Sequence, residues 1–327
     1  VTPASTPAPA AGRPPLSRRI DPAIATAYGC IVAMILIGAL YSPNFLAPAY
    51  LLQQLKVAAF LGVIASGMML VILIGHIDLS VPWVLTTGAM MASAMSSYGP
   101  VGAAFAIPAG LLCGAAFGLL NGFIVGYMRV PSMIVTMAVN AVAQGLMVAY
   151  TGGFAPQDSA SPLMRWLATG TLIPNVANGV LVWALVGLAT LFLLGRTTFG
   201  RALYAIGNRE RAAYLSGLPT RRVTLLAFVA SGTLSALGGI LLAGYAAKAS
   251  QSMGDAYLLP SIAAVVLGGT HVLGGKGSYF GTIAGVILVT LLQSILSVMQ
   301  IEEAGRQLIY GGVIVAMLLL YGRQSGR

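Results

Sequence analysis

Long apolar runs, broken by Pro, Gly and small polar clusters, dominate this chain. Residues 22–55, 57–75, 79–128, 166–195, 223–247 and 277–301 contain no Asp, Glu, Lys or Arg. A helix of about 20 apolar residues crosses the hydrocarbon core of a bilayer, so each blank can hold one crossing or two. Closed β-barrels, the other spanning solution, would show short alternating strands rather than Leu/Ile/Val/Ala runs of this length. The breaks predict ten helices, at 22–41, 51–75, 81–97, 100–127, 132–150, 178–195, 222–246, 257–270, 278–299 and 305–322. The expected fold class is all-α: a polytopic transmembrane helical bundle of about ten spans over 21–323.

Composition excludes the main alternative. Of 327 residues, 58% are hydrophobic and 7% charged, with mean hydropathy +0.90. Soluble domains carry about 25% charged residues, so a water-soluble enzyme is ruled out. The net charge of +10 reflects the excess of Lys and Arg on the cytoplasmic side of membrane proteins rather than a nucleic-acid partner. With the amino terminus inside, the inner segments hold Arg13, Arg18, Arg19, Arg129, Arg196, Arg201, Arg209, Arg211, Arg221, Arg222, Lys276, Arg323 and Arg327. The outer segments hold Arg165, Lys248 and Arg306, with Lys56 near the outer interface. This bias favours an even number of spans with both termini cytoplasmic. Residues 1–20, rich in Pro and Ala, read as a disordered cytoplasmic tail, and 324–327 as a second short one. Arg18 and Arg19 imitate a signal peptide, but the run from Pro22 to Tyr41 exceeds the usual apolar region, so an uncleaved span is expected. Cys30 and Cys113 fall within spans, which indicates neither disulfide nor metal chemistry.

Two connections stand out. Residues 151–177 form a long outer segment rich in Gly, Pro, Ser and Thr. They suit either contact with something extracytoplasmic or a plain surface loop with a short interfacial helix near Leu163–Leu167. Residues 196–222 form the largest inner segment, where Asn208 suits a helix N-cap, Gly217 a left-handed stop, and Pro219 forbids continuation. A two-turn helix outside the membrane results, marginal in water unless it docks on a partner. Ala212 and Ala213 would give that partner a small-side-chain surface, and added bulk at Ala213 is expected to uncouple the docked partner without unfolding the chain. The plainer reading is a basic turn holding topology.

Other motifs carry less chemistry. The segment Gly75-His76-Ile77-Asp78-Leu79-Ser80-Val81-Pro82 holds the sole carboxylate between Asp21 and Asp158. Asp78 is expected to brace or cap the next helix at the cytoplasmic interface, or to line a pathway. The Gly-rich run around Gly274-Gly275-Lys276 imitates a phosphate-binding loop, but Thr270 stands where the first Gly belongs and Gly277 where Ser or Thr belongs. Nucleotide binding in this chain is therefore rejected, and His271 reads as an interface histidine rather than a proton relay. Gly110, Gly114, Gly118, Gly122 and Gly126 recur every fourth position, a stripe that lets neighbouring helices approach closely. At 3.6 residues per turn it winds by about 160° and could serve two neighbours. Asn121, Asn140, Gln144 and Gln293 are uncharged polar groups within spans, suited to a hydroxyl-rich solute or to bonds between helices. No nucleophilic triad or metal motif occurs, and no acid sits clearly at mid-span, which argues against proton-driven transport.

Taken in order, Gly75–Pro82, Thr198–Leu218 and Ala263–Gly285 (AAVVLGGTHVLGGKGSYFGTIAG) resemble the permease subunit of ribose-type monosaccharide ABC importers, over about residues 20–322. The resemblance implies a pair of permeases, either two copies or one with a sister permease, embedded in membrane lipid. It also implies a separate ATP-binding subunit that holds ATP and Mg, an extracytoplasmic solute-binding protein, and no cofactor in this chain. Arg201, Gly207, Glu210, Arg211, Ala212, Ala213 and Gly217, in the coupling segment of about 198–220, would contact the ATPase. His76, Asp78, Ser80, Asn121, Asn140, Gln144, His271 and Gln293 are the pathway or gating candidates. The chain departs from the family where His76 and Pro82 replace glycines, and where Arg209-Glu210-Arg211 replaces Asn-Pro-Glu. A stand-alone secondary transporter or facilitator is the alternative, and a scaffold or sensor without transport a more distant one.

Overall fold

The computed structural model describes residues 22–154, 156–302, 304–312 and 314–315. The expected tails 1–20 and 324–327, and the last span beyond 315, lie outside them. Eleven α-helices form in the order α1 (Pro22–Tyr41), α2 (Pro48–Leu73), α3 (Val81–Ser96), α4 (Gly99–Tyr127), α5 (Ser132–Thr151), α6 (Pro162–Thr169), α7 (Asn178–Arg196), α8 (Thr198–Leu215), α9 (Thr220–Ala246), α10 (Leu258–Leu267) and α11 (Tyr279–Val298). A further helical run covers 304–312. Among the described residues there is no strand, only isolated bridges.

Among the described residues, six helices are long and apolar enough to cross a membrane: α2, α4, α5, α7, α9 and α11. The run expected at 257–270 is shorter than the sequence predicts. Its α-helix occupies Leu258–Leu267, after a single 3-10 turn at Asp255–Tyr257. Ten residues rise only about 15 Å, half of a bilayer core. Gly268 and Gly269 cut α10 off, and the chain continues as irregular backbone to Tyr279.

At the centre lies α2, whose residues from Ala58 to Leu73 are all buried. A helix apolar on every side belongs in an interior, and this one is enclosed by α7, α9, α10 and α11. Beside it α9 packs along the whole of α4. The five glycines of the α4 stripe are buried, and each meets backbone across the interface: Gly114 at Gly232, Gly118 at Phe228 and Val229, Gly122 at Leu225, Gly126 at Arg221. Gly110, the first of the stripe, sits against Gly88 and Ala92 of α3 as well as Ile240 of α9. The stripe's slow winding thus carries it from one neighbour to include a second. Lipid tails are as apolar as Leu, so close van der Waals approach, rather than water exclusion, holds such helices together.

The connections sort onto two ends. One end gathers 74–80, 128–131, α8 and 268–278. The other gathers 97–98, 152–161 and 247–257, stitched by Ser97 Oγ donating to Asp158 (2.6 Å) and Gln251 Nε2 donating to Thr151 (2.8 Å). Arg129, Arg196, Arg201, Arg209, Arg211, Arg221, Arg222 and Lys276 all fall at the first end, and Arg165, Lys248 and Arg306 at the second.

The α4–α9 contact makes a paired test. A Cβ at Gly118 would overlap the Phe228 carbonyl, whereas one at Gly145 of α5 meets nothing within 4 Å. Gly118→Ala is expected to destabilise the protein by ~1–3 kcal/mol. Gly145→Ala should be neutral or gain up to ~1 kcal/mol of helix propensity. Thermal midpoints in detergent check both.

Candidate functional site

Helices α2 and α10 end in the same way. In α2, the amides of Gly75 and His76 reach back to Ile72 and Val71 (2.9 and 3.1 Å), and in α10 those of Gly269 and Thr270 reach Val266 and Val265 (2.9 and 3.2 Å). Gly75 and Gly269 have φ of +79° and +84°, the left-handed residue that such helix stops require. Each stop begins an irregular segment, and the two segments close on each other. The Gly275 amide donates to the Leu73 carbonyl at 2.9 Å, and a Cβ on Gly75 would stand 3.0 Å from the Leu273 carbonyl.

Helix α8 completes the junction. Gly207 lies so close to Leu73 and Gly275 that a Cβ there would overlap both backbones, and Asn208 packs on Gly275. The Tyr204 hydroxyl donates to the Gly277 carbonyl (3.0 Å). Thus the three separated sequence signatures meet at one place, the basic end of the bundle. His271, Leu273, Gly274 and Lys276 line a small cavity there with Gly207 and Asn208, of about 240 Å³. The His271 amide donates to the Lys276 carbonyl, closing the glycine loop.

The 74–80 segment folds back into the bundle rather than resting at its end. Asp78 is 1% exposed. Its Oδ1 accepts from the Ser80 amide (3.0 Å) and the Ser80 hydroxyl (2.5 Å), and its Oδ2 accepts from Ser231 of α9 (2.8 Å). Ser231 is three turns into α9, so the carboxylate sits inside the bundle, not at its interface as the sequence suggests. Nor does it cap α3: Ser80 holds the N-cap position, and Asp78 braces the turn two residues earlier. Asn121 of α4 donates to Ser80 Oγ (2.8 Å). Thr136 of α5 accepts from the Leu79 amide (3.0 Å), and Asn140 of α5 from the Trp83 amide (3.2 Å). These side chains satisfy backbone donors that a broken helix leaves open at membrane depth. His76 stands nearer the bundle end, half-buried and 6.0 Å from the Phe228 ring. Burial holds its imidazole below the usual value, with Glu210 pulling upward and Arg129 adding to the fall.

Beyond Gly207, α8 kinks. Arg209 has φ −159° and ψ 100°, so the break falls one residue after the expected cap, Asn208. The Thr197 side chain caps the helix start by accepting from the Gly200 amide (3.1 Å), and the end stops at Gly217 (φ +84°) as the sequence indicates. Glu210 pairs with Arg129 from the α4–α5 turn, both about half exposed, a geometry worth ~0–1 kcal/mol. Arg201, Arg211 and Ala212 are exposed, as are Tyr214 and Leu215. Ala213 differs from Ala212 in being only 4% exposed and packed against its own core, although both line an open cavity of about 590 Å³ with Asn208 and Ser216.

Two other polar candidates separate. Gln144 lies exposed on the outward face of α5 beside Met137, Val142 and Leu146, away from any shared interior. Gln293 of α11 faces an open cavity of about 530 Å³ at the sparsely charged end, with Tyr50 and Gln54 of α2. Ser231, Thr136, Tyr204 and Gln54 escape sequence reading. Ser and Thr inside apolar helices mostly bond their own preceding turn, as Thr233 and Thr290 do here, so a hydroxyl with a distant partner looks no different.

A family model described as branched-chain amino acid transport system / permease component matches residues 50–318. The ribose import permease protein of Escherichia coli (strain K12) is 33% identical over 300 residues, 90% of this chain and 92% of that protein. That of Bacillus subtilis (strain 168) is 34% identical over 89% of this chain and 90% of its own. The L-arabinose ABC transporter permease protein of Azospirillum brasilense is 30% identical over 87% of this chain and 84% of its own. No solved structure matches.

Removing one ligand of the buried carboxylate tests the bracing role. Ser231→Ala is expected to cost ~1–3 kcal/mol, and Asp78→Ala more, since it strands two hydroxyls and an amide. A thermal midpoint unchanged in Asp78→Ala would show that the network carries no stability.

Proposed function

The chain belongs to the branched-chain amino acid transport system permease family, and from that premise we propose that it carries a monosaccharide or similar neutral polyol across the bacterial cytoplasmic membrane. It is the membrane-spanning permease subunit of an ATP-binding-cassette importer. Its full-length relatives named for ribose and L-arabinose favour sugar over the amino acid in the family's title. The cavity chemistry agrees: a zwitterion calls for both a cation and an anion in its path, and the walls of the outer cavity include Arg306 but no Asp or Glu.

The observation that carries the reading is the junction at the basic end. Helix α8 is wedged by Gly207 between the two irregular segments, while its kinked end presents Arg211, Ala212 and Leu215 outward. A separate ATP-binding subunit docked on that end can move both segments through one lever. The chain would work as a pair, with a solute-binding protein delivering sugar to the opposite end. The excess of positive charge at the α8 end supports a cytoplasmic location for that end and for both termini. Ten crossings follow if α1, α3, α10 and the final helix each traverse with their flanking segments. ATP and Mg belong to the partner.

In proteoliposomes, sugar uptake is expected to require the ATP-binding subunit, the binding protein and ATP. Uptake by this chain alone would favour a facilitator. Ala212→Trp should leave the permease folded and the complex assembled, yet cut uptake at least tenfold while ATP hydrolysis continues; unchanged uptake would refute docking there. Ala213→Trp should instead lower the thermal midpoint of the permease itself, because Ala213 packs among buried side chains that the ring would displace.

A further inference from the structure

The cavity at the sparsely charged end has features that the junction does not explain. Its walls come from the first turns of α2 (Tyr50, Gln54, Val57), the last turns of α11 (Thr290 to Val298), the 256–257 turn and Arg306. Its volume of about 530 Å³ lies in the range of small-molecule sites. Gln54 and Gln293 are both half-buried here. Thr290 and Ser294 are satisfied, by the Val286 carbonyl and by Tyr50 respectively. The two amides, by contrast, make no hydrogen bond to any described residue. Buried polar side chains are as a rule hydrogen-bonded, to protein or to ordered water. Here one amide comes from α2 and the other from α11, and both line one space.

The rest of the lining matches the same ligand. Tyr50 and Tyr257 are aromatic members of the lining, and Ser297 adds a hydroxyl. Arg306, whose Nε is engaged by the Ile301 carbonyl (2.9 Å), is the one charged group. A second cavity at this end, of about 520 Å³, differs in carrying the carboxylate of Asp158. Neutral paired donors and acceptors beside aromatic faces recognise vicinal hydroxyls on a ring with apolar C–H faces. The cavity also stands at the outer mouth of α2, the buried central helix whose other end is Leu73 in the junction. A solute held at Gln54 therefore touches the same rigid element that α8 engages.

We propose that Gln54 and Gln293 form an outward-facing polyol-binding subsite, the first point at which the permease itself grips its solute. This rests on the permease reading above. The two amides act as bidentate hydrogen-bonding arms, and Tyr50 and Tyr257 shape the pocket around the ring.

The test uses the full complex in proteoliposomes, with a panel of radiolabelled pentoses, hexoses and polyols. Gln54→Leu combined with Gln293→Leu is expected to reduce uptake at least tenfold, with subunit co-purification and the thermal midpoint unchanged. Gln53→Leu, on the exposed neighbouring position, should transport normally. In a Cys30→Ser, Cys113→Ser background, Gln293→Cys should react with a membrane-impermeant thiol reagent added on the binding-protein side, and modification should block uptake. A complex that transports normally with the double Leu substitution, or after complete modification of Gln293→Cys, overturns the subsite while leaving the permease reading intact. No ATP-driven uptake of any panel member by the unsubstituted complex would overturn both.

Discussion

The fold depends on two helix interruptions being closed against each other. A chain in lipid has no water to take up free amides and carbonyls, so a break in a helix at membrane depth must find internal partners. Leu73 and Gly275 supply the joining hydrogen bond, and Gly207 allows a third backbone to reach it. Side chains then complete the shorter break: Thr136, Asn140 and Asp78 each take a backbone amide that a continuous helix would have satisfied. The glycines and small polar residues that look like weaknesses in the apolar runs are the parts that make the junction possible.

That junction joins a closely packed frame to elements held by fewer side chains. The pair α2 and α9 is the deeply buried frame, and the α4 stripe locks α9 from the side. Against this frame stand the elements with few side-chain anchors: the glycine loop at 268–278 and the kinked α8. A force applied to the exposed end of α8 meets backbone at Leu73 and Gly275 directly, with no flexible side chain between. The cavity lined by Tyr50 and Gln54 lies at the far end of the same central helix.

Much of the architecture was legible in the chain. Charge-free blanks and their Pro and Gly breaks located nearly every helix to within a few residues, because helix formation and termination are local events. The shortened α10 is the instructive exception, since Gly268 and Gly269 ended the helix earlier than the apolar run implied. The signatures around Gly75, Gly207 and Gly275 marked three places of importance, yet nothing in their spacing said they touch. The resemblance to sugar importer permeases carried the function, and the relatives agree with it.

The sequence by itself determined where the helices lie, which end of the bundle is positive, and that the chain lives in a membrane. These follow from backbone propensity and from the cost of placing charge in hydrocarbon, which act residue by residue. Only the tertiary structure decided which way each helix faces. Ala213 turns inward and Ala212 outward; Gln144 lies on an outer surface and Gln293 on a cavity wall; Asp78 sits inside the bundle instead of at its rim. In a soluble protein an apolar stripe would announce the buried face. Here lipid and core are equally apolar, so the hydrophobic pattern is blind to orientation, and the packing of glycine against backbone settles it instead.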